Sequence, residues 1–519
     1  MTTVQPLPVR LDGRRLTVWQ LATAARAPWF EVHAPISLTT GARRALQASR
    51  RAFLAHAGPL YGVSSGVGAL DSASTRTDLE RAPLAVLRSH AVGVGAPLPP
   101  EVVRAMIVVR AQQLAAGRSG VTIELVRAML ALVEHGVTPV VPGVGSIGAS
   151  DMAPLAYVGL VLAGEGRATV DDRVGEGHEA LAAARLRPHR FDGRDALGLL
   201  NGPALTVARG ALAVVDAARW LEAAEVAAAL CLTALASPAT TLDARTISAK
   251  GHAAATEVAA RVAAMAGLTL DDESTVHREP LSARALAHVL GSAQDALAHA
   301  RRVVEQEMSA AIDNPMIDRH GWSTNNASNG DTTRLGLALD HLADAMGAVA
   351  AQSERRTARL LAGEDGLPAF LIHPHACPGV DSGLMIAQYT AAAALAEIAG
   401  RHGGAALRTL PVSLGTEDYN PMGPAAAKRC RAVVARTADV VAIELLCSAQ
   451  ALDLAPARRG GAALALHTGV REVIDVMVQD RLVGDDLALL RAWVARGGLE
   501  QLARGIYRVD EGSASASRS

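Results

Sequence analysis

Apolar residues recur along most of the chain at the three-to-four-residue spacing of an amphipathic α-helix. The stretch "PPEVVRAMIVVRAQQLAAG" (99–117) begins with prolines suited to a first helical turn and stops at glycine. The next stretch, "SGVTIELVRAMLALVEHG" (119–136), repeats this order. An earlier stretch, "SLTTGARRALQASRRAFLAHAG" (37–58), is predicted as an amphipathic helix. Helix is therefore the dominant prediction.

Beyond residue 200 the apolar stretches become longer and carry Ala, Leu or Val at nearly every heptad position. They are predicted as helices over 203–237, 284–311, 332–362, 382–403 and 424–454. A helix that is apolar on several sides has to be interior to a bundle. We therefore expect an all-α fold built on a bundle of long helices, completed by other subunits.

Three regions are predicted along the chain. Residues 1–200 form a loop-rich and helical N-terminal region, and residues 201–507 form the central and C-terminal long-helix bundle. Residues 508–519 have the small polar composition of a disordered tail.

Composition and charge narrow the class of partner. Half of the residues are hydrophobic but only 3% are aromatic, and the formal net charge is -1. This balance provides no basic field for nucleic acid or an anionic membrane, so neither partner is expected. The N-terminal segment lacks the apolar core of a signal peptide, and no uninterrupted apolar run reaches about 18 residues. A cytoplasmic protein is therefore expected.

Cysteine and histidine give little sign of a metal. The four cysteines, Cys231, Cys377, Cys430 and Cys447, show no CxxC spacing and are too scattered for a disulfide framework. His373 and His375 stand near Cys377 in "IHPHAC", but this spacing fits no common metal site. No metal is expected. The charged run "SERR" (353–356) is interpreted as a helix face whose charges pair at a subunit interface.

Ten short segments carry a resemblance to a known family. They are "LYGVSSGVGAL" (60–70), "LRSHAVGVGAPL" (87–98), "GSIGASDMAPLA" (145–156), "LGLLNGPAL" (197–205), "EPLSARALAHVLG" (279–291), "AAIDNPMI" (310–317), "SERRTARLL" (353–361), "GLPAFL" (366–371), "GVDSGLMIAQYTAAA" (379–393) and "GTEDYNPMG" (415–423). Their order and spacing resemble the aromatic amino acid ammonia-lyases and aminomutases, above all histidine ammonia-lyase. The resemblance implies a fumarase/aspartase-like helical bundle, a homotetramer with shared active sites, and an amino acid or derivative as substrate.

The resemblance also implies a cofactor made from the chain itself. In the family an Ala-Ser-Gly segment cyclises to a methylidene-imidazolone, the electrophile that activates the substrate amine. Here the segment reads Ala149-Ser150-Asp151, either because the glycine is deleted or because Asp151 takes its place. A residue with a Cβ resists the backbone shape that glycine adopts, so we expect no cofactor. Cyclisation of 149–151 is the less favoured alternative.

Several site residues of the family are retained. By resemblance, Tyr61 is the catalytic base and Asn201 hydrogen-bonds near the electrophile and the substrate. Glu417 matches a glutamate that contacts the substrate amine or imidazole, and His90 matches a residue facing the substrate. Arg284 matches the arginine that holds the substrate carboxylate, a task suited to a two-pronged donor.

Other site residues depart from the family. Leu281 stands in place of a tyrosine and Arg278 in place of a glutamine. Ser328, in "TNNASNG" (324–330), occupies the place of an aromatic residue. The polar replacements, Arg278, Ser328 and the neighbouring Asn329, favour a substrate that is more polar and less aromatic than phenylalanine.

Three hypotheses about function remain open at the level of sequence. The first is a carbon–nitrogen lyase or aminomutase-like enzyme with altered chemistry, acting on an amino acid or amino-acid-like substrate, for example a modified amino acid from secondary metabolism. The second is a non-catalytic homologue that serves as a binding or scaffold subunit. The third is a conventional histidine-type ammonia-lyase in which 149–151 still cyclises. The retention of Tyr61, Asn201, Arg284 and Glu417 favours an enzyme.

Overall fold

A computed structural model describes residues 8–26, 36–74, 80–268, 278–377 and 379–503. Helices dominate these ranges. They are α1 (Val18–Arg26), α2 (Thr40–Ala55), α3 (Ala82–His90), α4 (Pro100–Ala115), α5 (Ile123–Glu134), α6 (Met152–Leu162), α7 (Gly177–Ala183), α8 (Gly193–Leu200), α9 (Ala204–Ala234), α10 (Ala244–Ser248), α11 (Ala253–Ala266), α12 (Leu281–Arg284), α13 (Leu286–Met308), α14 (Thr333–Leu361), α15 (Met385–Ala399), α16 (Gly423–Leu454), α17 (Gly461–Arg471) and α18 (Val483–Ala495). The predicted all-α fold is confirmed. The predicted tail at 508–519 lies outside the described residues.

The strands are short and form small local sheets. They are β1 (Val9–Leu11), β2 (Ile36–Leu38), β3 (Val94–Pro97), β4 (Thr138–Pro139), β5 (Pro142–Val144), β6 (Arg167–Val170), β7 (Arg173–Glu176), β8 (Met316–Ile317) and β9 (Ser323–Thr324). β1 and β2 pair in parallel, whereas β3–β5, β4–β6–β7 and β8–β9 pair antiparallel. Two of these pairs bear on the site, because β5 leads into the 145–151 loop and β9 leads into 325–330.

The chain divides into two compact units. The first contains Met1–Val215, Ala300–Asp340 and Gly404–Arg429, and the second contains Asp216–His299, His341–Gly403 and Cys430–Ser519. The predicted boundary between residues 200 and 201 stays a prediction. The chain passes from one unit to the other at five points, four of which lie within the long helices α9, α13, α14 and α16 and the fifth between residues 403 and 404.

The core of the first unit is built around α4. All but three of its sixteen residues are buried, and it packs against α1 and α5. A second packed group consists of α3, α6 and α8. Apolar side chains on every side of α4 explain its low amphipathicity, because such a helix gains most when it is surrounded by protein.

The second unit contains α15 and the remaining long-helix segments, and α11 packs there against α10 and α17. Within it Arg356 of α14 and Glu444 of α16 form a buried ion pair with N–O distances of 2.5 and 2.8 Å. The interpretation of 353–356 as interface charges is thus wrong for Arg356, whose partner lies in the same chain.

The five long helices predicted from residue 203 onward are all present, each within a few residues of its predicted ends. Among the described residues the stretch Gly193–Ala234 is long and apolar enough to cross a membrane by composition alone. However, 94% of its most apolar window is buried inside the protein, which is typical of a core helix.

Candidate active site

The segment 145–151 connects β5 to α6 and is held by close backbone contacts. Gly148 has a φ of +96°, a conformation that residues with side chains rarely adopt. A Cβ at this position would lie 2.5 Å from Oγ1 of Thr332. That hydroxyl donates a 2.9 Å hydrogen bond to the Gly148 carbonyl, and the backbone nitrogen of Met422 donates to the Ile147 carbonyl at 2.8 Å. The turn is therefore fixed on both sides before Ala149.

Ala149 and Ser150 lie against a glycine and bond to an asparagine. A Cβ on Gly330 would lie 2.2 Å from the Ala149 carbonyl oxygen and 2.7 Å from Oγ of Ser150, so only glycine fits there. The Ser150 hydroxyl donates to Oδ1 of Asn201 at 2.8 Å. The Nδ2 of Asn201 donates in turn to the Asn314 carbonyl at 2.7 Å, which fixes the orientation of the amide.

Asp151 connects two helices. It precedes the first residue of α6, and its buried carboxylate accepts from the Ser146 hydroxyl at 2.6 Å and from the Thr206 backbone nitrogen at 2.8 Å. Thr206 lies in the first turn of α9, whose free N–H groups favour a carboxylate. Burial raises the pKa of Asp151 although these hydrogen bonds oppose the rise. The Asp151 nitrogen donates to the Gly202 carbonyl at 2.9 Å.

Tyr61 stands in the loop 58–74 that follows α2. Its phenolic oxygen accepts a 2.6 Å hydrogen bond from the backbone nitrogen of Gly68, across a turn of the same loop. Burial raises the pKa of Tyr61, the Gly68 N–H acts against that rise, and the charges of Glu417 and Asp71 add to it. The phenol is therefore protonated at neutral pH and already carries a donor that would stabilise its ionised form.

Three further predicted residues lie in the same unit. Glu417 is half-buried and pairs through its backbone with Val412, and its charge acts on Tyr61. His90 ends α3, and its Nδ1 lies 2.8 Å from the Val86 carbonyl, so a neutral ring donating there presents Nε2 as an acceptor. Ser328 is exposed in the loop before α14.

The remaining three predicted residues lie in the second unit, on or just before α12. Arg284 is half-buried, and its Nε donates to the Glu279 carbonyl at 2.6 Å. Leu281 is 66% exposed, and Arg278 is also exposed.

Sequence reasoning missed several residues that build the site. Asn325 accepts from the Tyr61 nitrogen, Asn314 orients Asn201, Gly330 and Thr332 hold the 148–150 turn, and Ser413 accepts from the Ala69 nitrogen. Asn314 and Gly330 lie within segments that had been singled out, so a signal existed. Asn325 also lies within such a segment, 324–330, but its contact with Tyr61 carried no signal, and Ser413 lies in none of these segments, because the partners of both residues are more than 250 residues away in sequence.

Across the described part of the chain, no group of three or more His, Cys, Asp or Glu side chains is arranged to hold a metal. The rings of His373 and His375 lie 5.2 Å apart at a tilt, without a third ligand. The expected absence of a metal stays a prediction.

Comparison with known proteins identifies the family. A model described as aromatic amino acid lyase matches residues 16–472. A histidine ammonia-lyase of Symbiobacterium thermophilum is 37% identical over 451 residues, covering 85% of this chain and 88% of its own. One from Anaeromyxobacter sp. is 36% identical and covers 94% of this chain and 99% of its own. The chain therefore belongs to the aromatic amino acid lyase family.

Solved structures agree with this assignment. Histidine ammonia-lyase from Trypanosoma cruzi superposes with a TM-score of 0.88 at 28% identity, covering 96% of both chains. Tyrosine aminomutase from Streptomyces globisporus gives a TM-score of 0.87 at 28% identity, covering 96% of this chain and 98% of its own. The resemblance found in the sequence, and the helical lyase fold it implied, are both confirmed.

The expectation of no cofactor is wrong. The chain belongs to a family that makes methylidene-imidazolone from its own backbone, and relatives that cover most of it are histidine ammonia-lyases. The surroundings of Ala149 and Ser150 fit such a group, because Gly330 leaves room for the segment and Asn201 bonds to the serine hydroxyl. The Asp151 carboxylate is directed towards its hydrogen bonds with Ser146 and Thr206, so its side chain crowds the turn less than the sequence predicted.

Proposed function

We propose that this protein is a carbon–nitrogen lyase that eliminates ammonia from an α-amino acid of the histidine type. The observation that carries the proposal is the placement of Ala149 and Ser150 between Gly330 and Asn201. A methylidene-imidazolone at this segment would supply the electrophile for the substrate amine. Asn201, Gly330 and Thr332 would hold this group in place. The relatives named histidine ammonia-lyase support histidine as the first substrate to test.

Tyr61 is proposed as the base that removes the β proton. A general base has to give up its own proton first, and the Gly68 N–H stabilises the phenolate that results. Burial raises the pKa of Tyr61, and the charge of Glu417 adds to this rise. Glu417 would attract the cationic amine of the substrate, and this positive charge would offset the effect of Glu417 on the pKa of the phenol. His90 would meet the substrate side chain through Nε2.

Arg284 is proposed to bind the substrate carboxylate. Its Nε is taken by the Glu279 carbonyl, and this contact orients the guanidinium while its other nitrogens serve the substrate. Arg278, Leu281 and Ser328 are proposed to face the substrate side chain, and the polar groups of Arg278 and Ser328 would favour imidazole over phenyl. The active sites are proposed to be shared between subunits of a homotetramer, which would also cover Leu281, and the protein is proposed to work in the cytoplasm.

The test is turnover of L-histidine, with L-phenylalanine and L-tyrosine as comparisons. Turnover is measured as ammonia release and as near-UV absorbance of the unsaturated acid. Ser150→Ala is the matched inactive variant, because it removes the hydroxyl that would be lost as water. We expect release from L-histidine by the wild type and none by Ser150→Ala. Absence of turnover together with an unmodified intact mass would instead leave the non-catalytic homologue as the better description.

A further inference from the structure

Within the part of the chain that the structure describes, the side chains of Ser413 and Asn325, both distant in sequence, bind the backbone of the Tyr61 loop (58–74). Ser413 accepts from the Ala69 nitrogen at 3.1 Å, one residue after Gly68, whose N–H donates to the Tyr61 hydroxyl. Asn325 acts at Tyr61 itself, where its Oδ1 accepts from the Tyr61 nitrogen at 3.1 Å. Its Nδ2 donates to the Pro59 carbonyl at 3.2 Å. One amide group thus binds the backbone on both sides of Leu60.

Other hydrogen bonds shape this part of the loop without anchoring it. The Ser64 hydroxyl lies 2.9 Å from the Leu60 nitrogen and 3.2 Å from the Leu60 carbonyl, and Ser65 Oγ accepts from the Gly62 nitrogen. These bonds join residues four or fewer positions apart. They set the local turn and leave open where the turn lies relative to the rest of the site.

Asn325 belongs to a segment, 314–330, that also contacts the electrophile-forming residues. Its first residue, Asn314, accepts from Asn201, the partner of Ser150. Its last residue, Gly330, lies against Ala149 and Ser150. The segment therefore contacts the Tyr61 loop through Asn325, the 149–150 turn directly through Gly330, and Ser150 indirectly through the bond from Asn201 to Asn314.

The segment is itself well anchored. β9 ends at Thr324, directly before Asn325, and pairs with β8 at Met316 and Ile317. The Ile317 carbonyl accepts from the Ser49 hydroxyl of α2 at 3.1 Å. A side chain that follows directly on a fixed strand loses little freedom when it bonds, so its amide can set the position of a neighbouring loop.

We propose that Asn325 is a positioning residue for the reaction: its side-chain amide holds Tyr61 at a fixed distance from the Ala149–Ser150 turn. This inference rests on the proposed function, in which Tyr61 is the base. Displacing the base by about an ångström greatly lowers the rate of proton transfer and has little effect on substrate binding.

The experiment compares Asn325→Gly with Asn326→Gly. The neighbouring Asn326 is also exposed, and its side chain makes no hydrogen bond to the described part of the chain, so both variants gain the same backbone freedom. Asn325→Asp is a third variant that keeps an acceptor for Tyr61 but faces the Pro59 carbonyl with an oxygen. We expect kcat to fall about tenfold in Asn325→Gly and Asn325→Asp, with KM within about twofold, and Asn326→Gly to match the wild type.

Hydrogen exchange gives a readout that needs no substrate. The amide of Tyr61 should exchange roughly three- to tenfold faster in Asn325→Gly than in Asn326→Gly, because only the former loses the acceptor. Equal exchange in the two variants, or equal kcat, would overturn the proposal. Tyr61→Phe separates this result from the proposed function: if that variant keeps full turnover, Tyr61 is not the base, and the exchange comparison still decides whether Asn325 holds the loop.

Discussion

The phenolic oxygen of Tyr61 lies 2.6 Å from the backbone nitrogen of Gly68, and the N–H of Gly68 donates to it. The two residues are seven positions apart in one loop, so the loop carries both the acid group and a donor for its conjugate base. Burial acts in the other direction and raises the pKa of Tyr61. The resting phenol is thus neutral, and its ionised form is stabilised locally.

Replacing this phenol should remove the base without unfolding the protein. Tyr61→Phe keeps the ring and loses the hydroxyl, and we expect kcat to fall by about 10²- to 10⁴-fold with little change in KM. Because the pKa of Tyr61 is raised, kcat/KM of the wild type should increase with pH across the neutral range, and this increase should be absent in the residual activity of Tyr61→Phe. A pH–rate profile of both proteins is the measurement. An unchanged profile in the variant would assign the ionisation to another group.

Asn201 should be required for the state of Ser150. Asn201→Ala removes the acceptor that lies 2.8 Å from the serine hydroxyl. Family membership predicts that the wild-type mass is about 36 Da below the sequence mass, for two lost waters, with matching near-UV absorbance. We expect Asn201→Ala to show a smaller fraction of this modified mass, and Ser150→Ala none. Intact-mass spectrometry measures both, and a full deficit in Asn201→Ala would show that the asparagine acts only later, on the substrate.

Gly330 should tolerate no side chain. A methyl group in Gly330→Ala would fall 2.2 Å from the Ala149 carbonyl oxygen, so the 149–150 turn has to move. We expect turnover to fall at least tenfold while the helical content stays the same. Gly484→Ala is the matched control, since nothing lies within 4 Å of that Cβ and the position is in α18. Wild-type turnover in Gly330→Ala would mean that the surrounding loop can move to accommodate the methyl group without loss of activity.

The buried carboxyl of Asp151 predicts a pH-dependent stability. Its pKa is raised above the ordinary 3.8 by burial, so the folded protein holds this proton more tightly than the unfolded chain. The resulting stabilisation is complete below about pH 3.8 and is lost as the pH rises through the raised pKa. The side chain of Asp151→Asn cannot ionise, so the variant does not lose this stability. Its free energy of unfolding should therefore increase relative to that of the wild type between pH 4 and pH 7. Denaturant unfolding at several pH values measures this, with Asp172→Asn, at an exposed carboxylate, as the matched Asp-to-Asn control.

The ion pair between Arg356 and Glu444 should matter for folding far more than exposed pairs do. Both side chains are almost fully buried, so Glu444→Gln leaves a buried guanidinium without its counter-charge. We expect a loss of about 3–5 kcal/mol in the free energy of unfolding. Glu257→Gln, which breaks an exposed pair with Arg261, should cost less than about 1 kcal/mol. Similar values for the two variants would contradict the buried character of the first pair.

The sequence by itself determined the helical class and the family, and it supplied the candidate site residues. Long Ala/Leu-rich stretches can satisfy their backbone groups and bury their side chains only as interior helices, which is why α9, α13, α14 and α16 were found close to their predicted ends. Tyr61, Asn201 and Glu417 could be named because each stands inside a recognisable short segment.

Only the tertiary structure decided what those residues touch. The bonds from Asn325 to Tyr61 and from Ser413 to Ala69 join positions more than 250 residues apart, and no local periodicity encodes such a contact. The same reason explains the misjudged cofactor: the crowding expected from the Asp151 side chain was a local argument. In the fold the Asp151 carboxylate bonds to Ser146 of the same segment and to the Thr206 nitrogen in the first turn of α9. The bond to Thr206 joins positions 55 residues apart and forms only after α6 and α9 have come together.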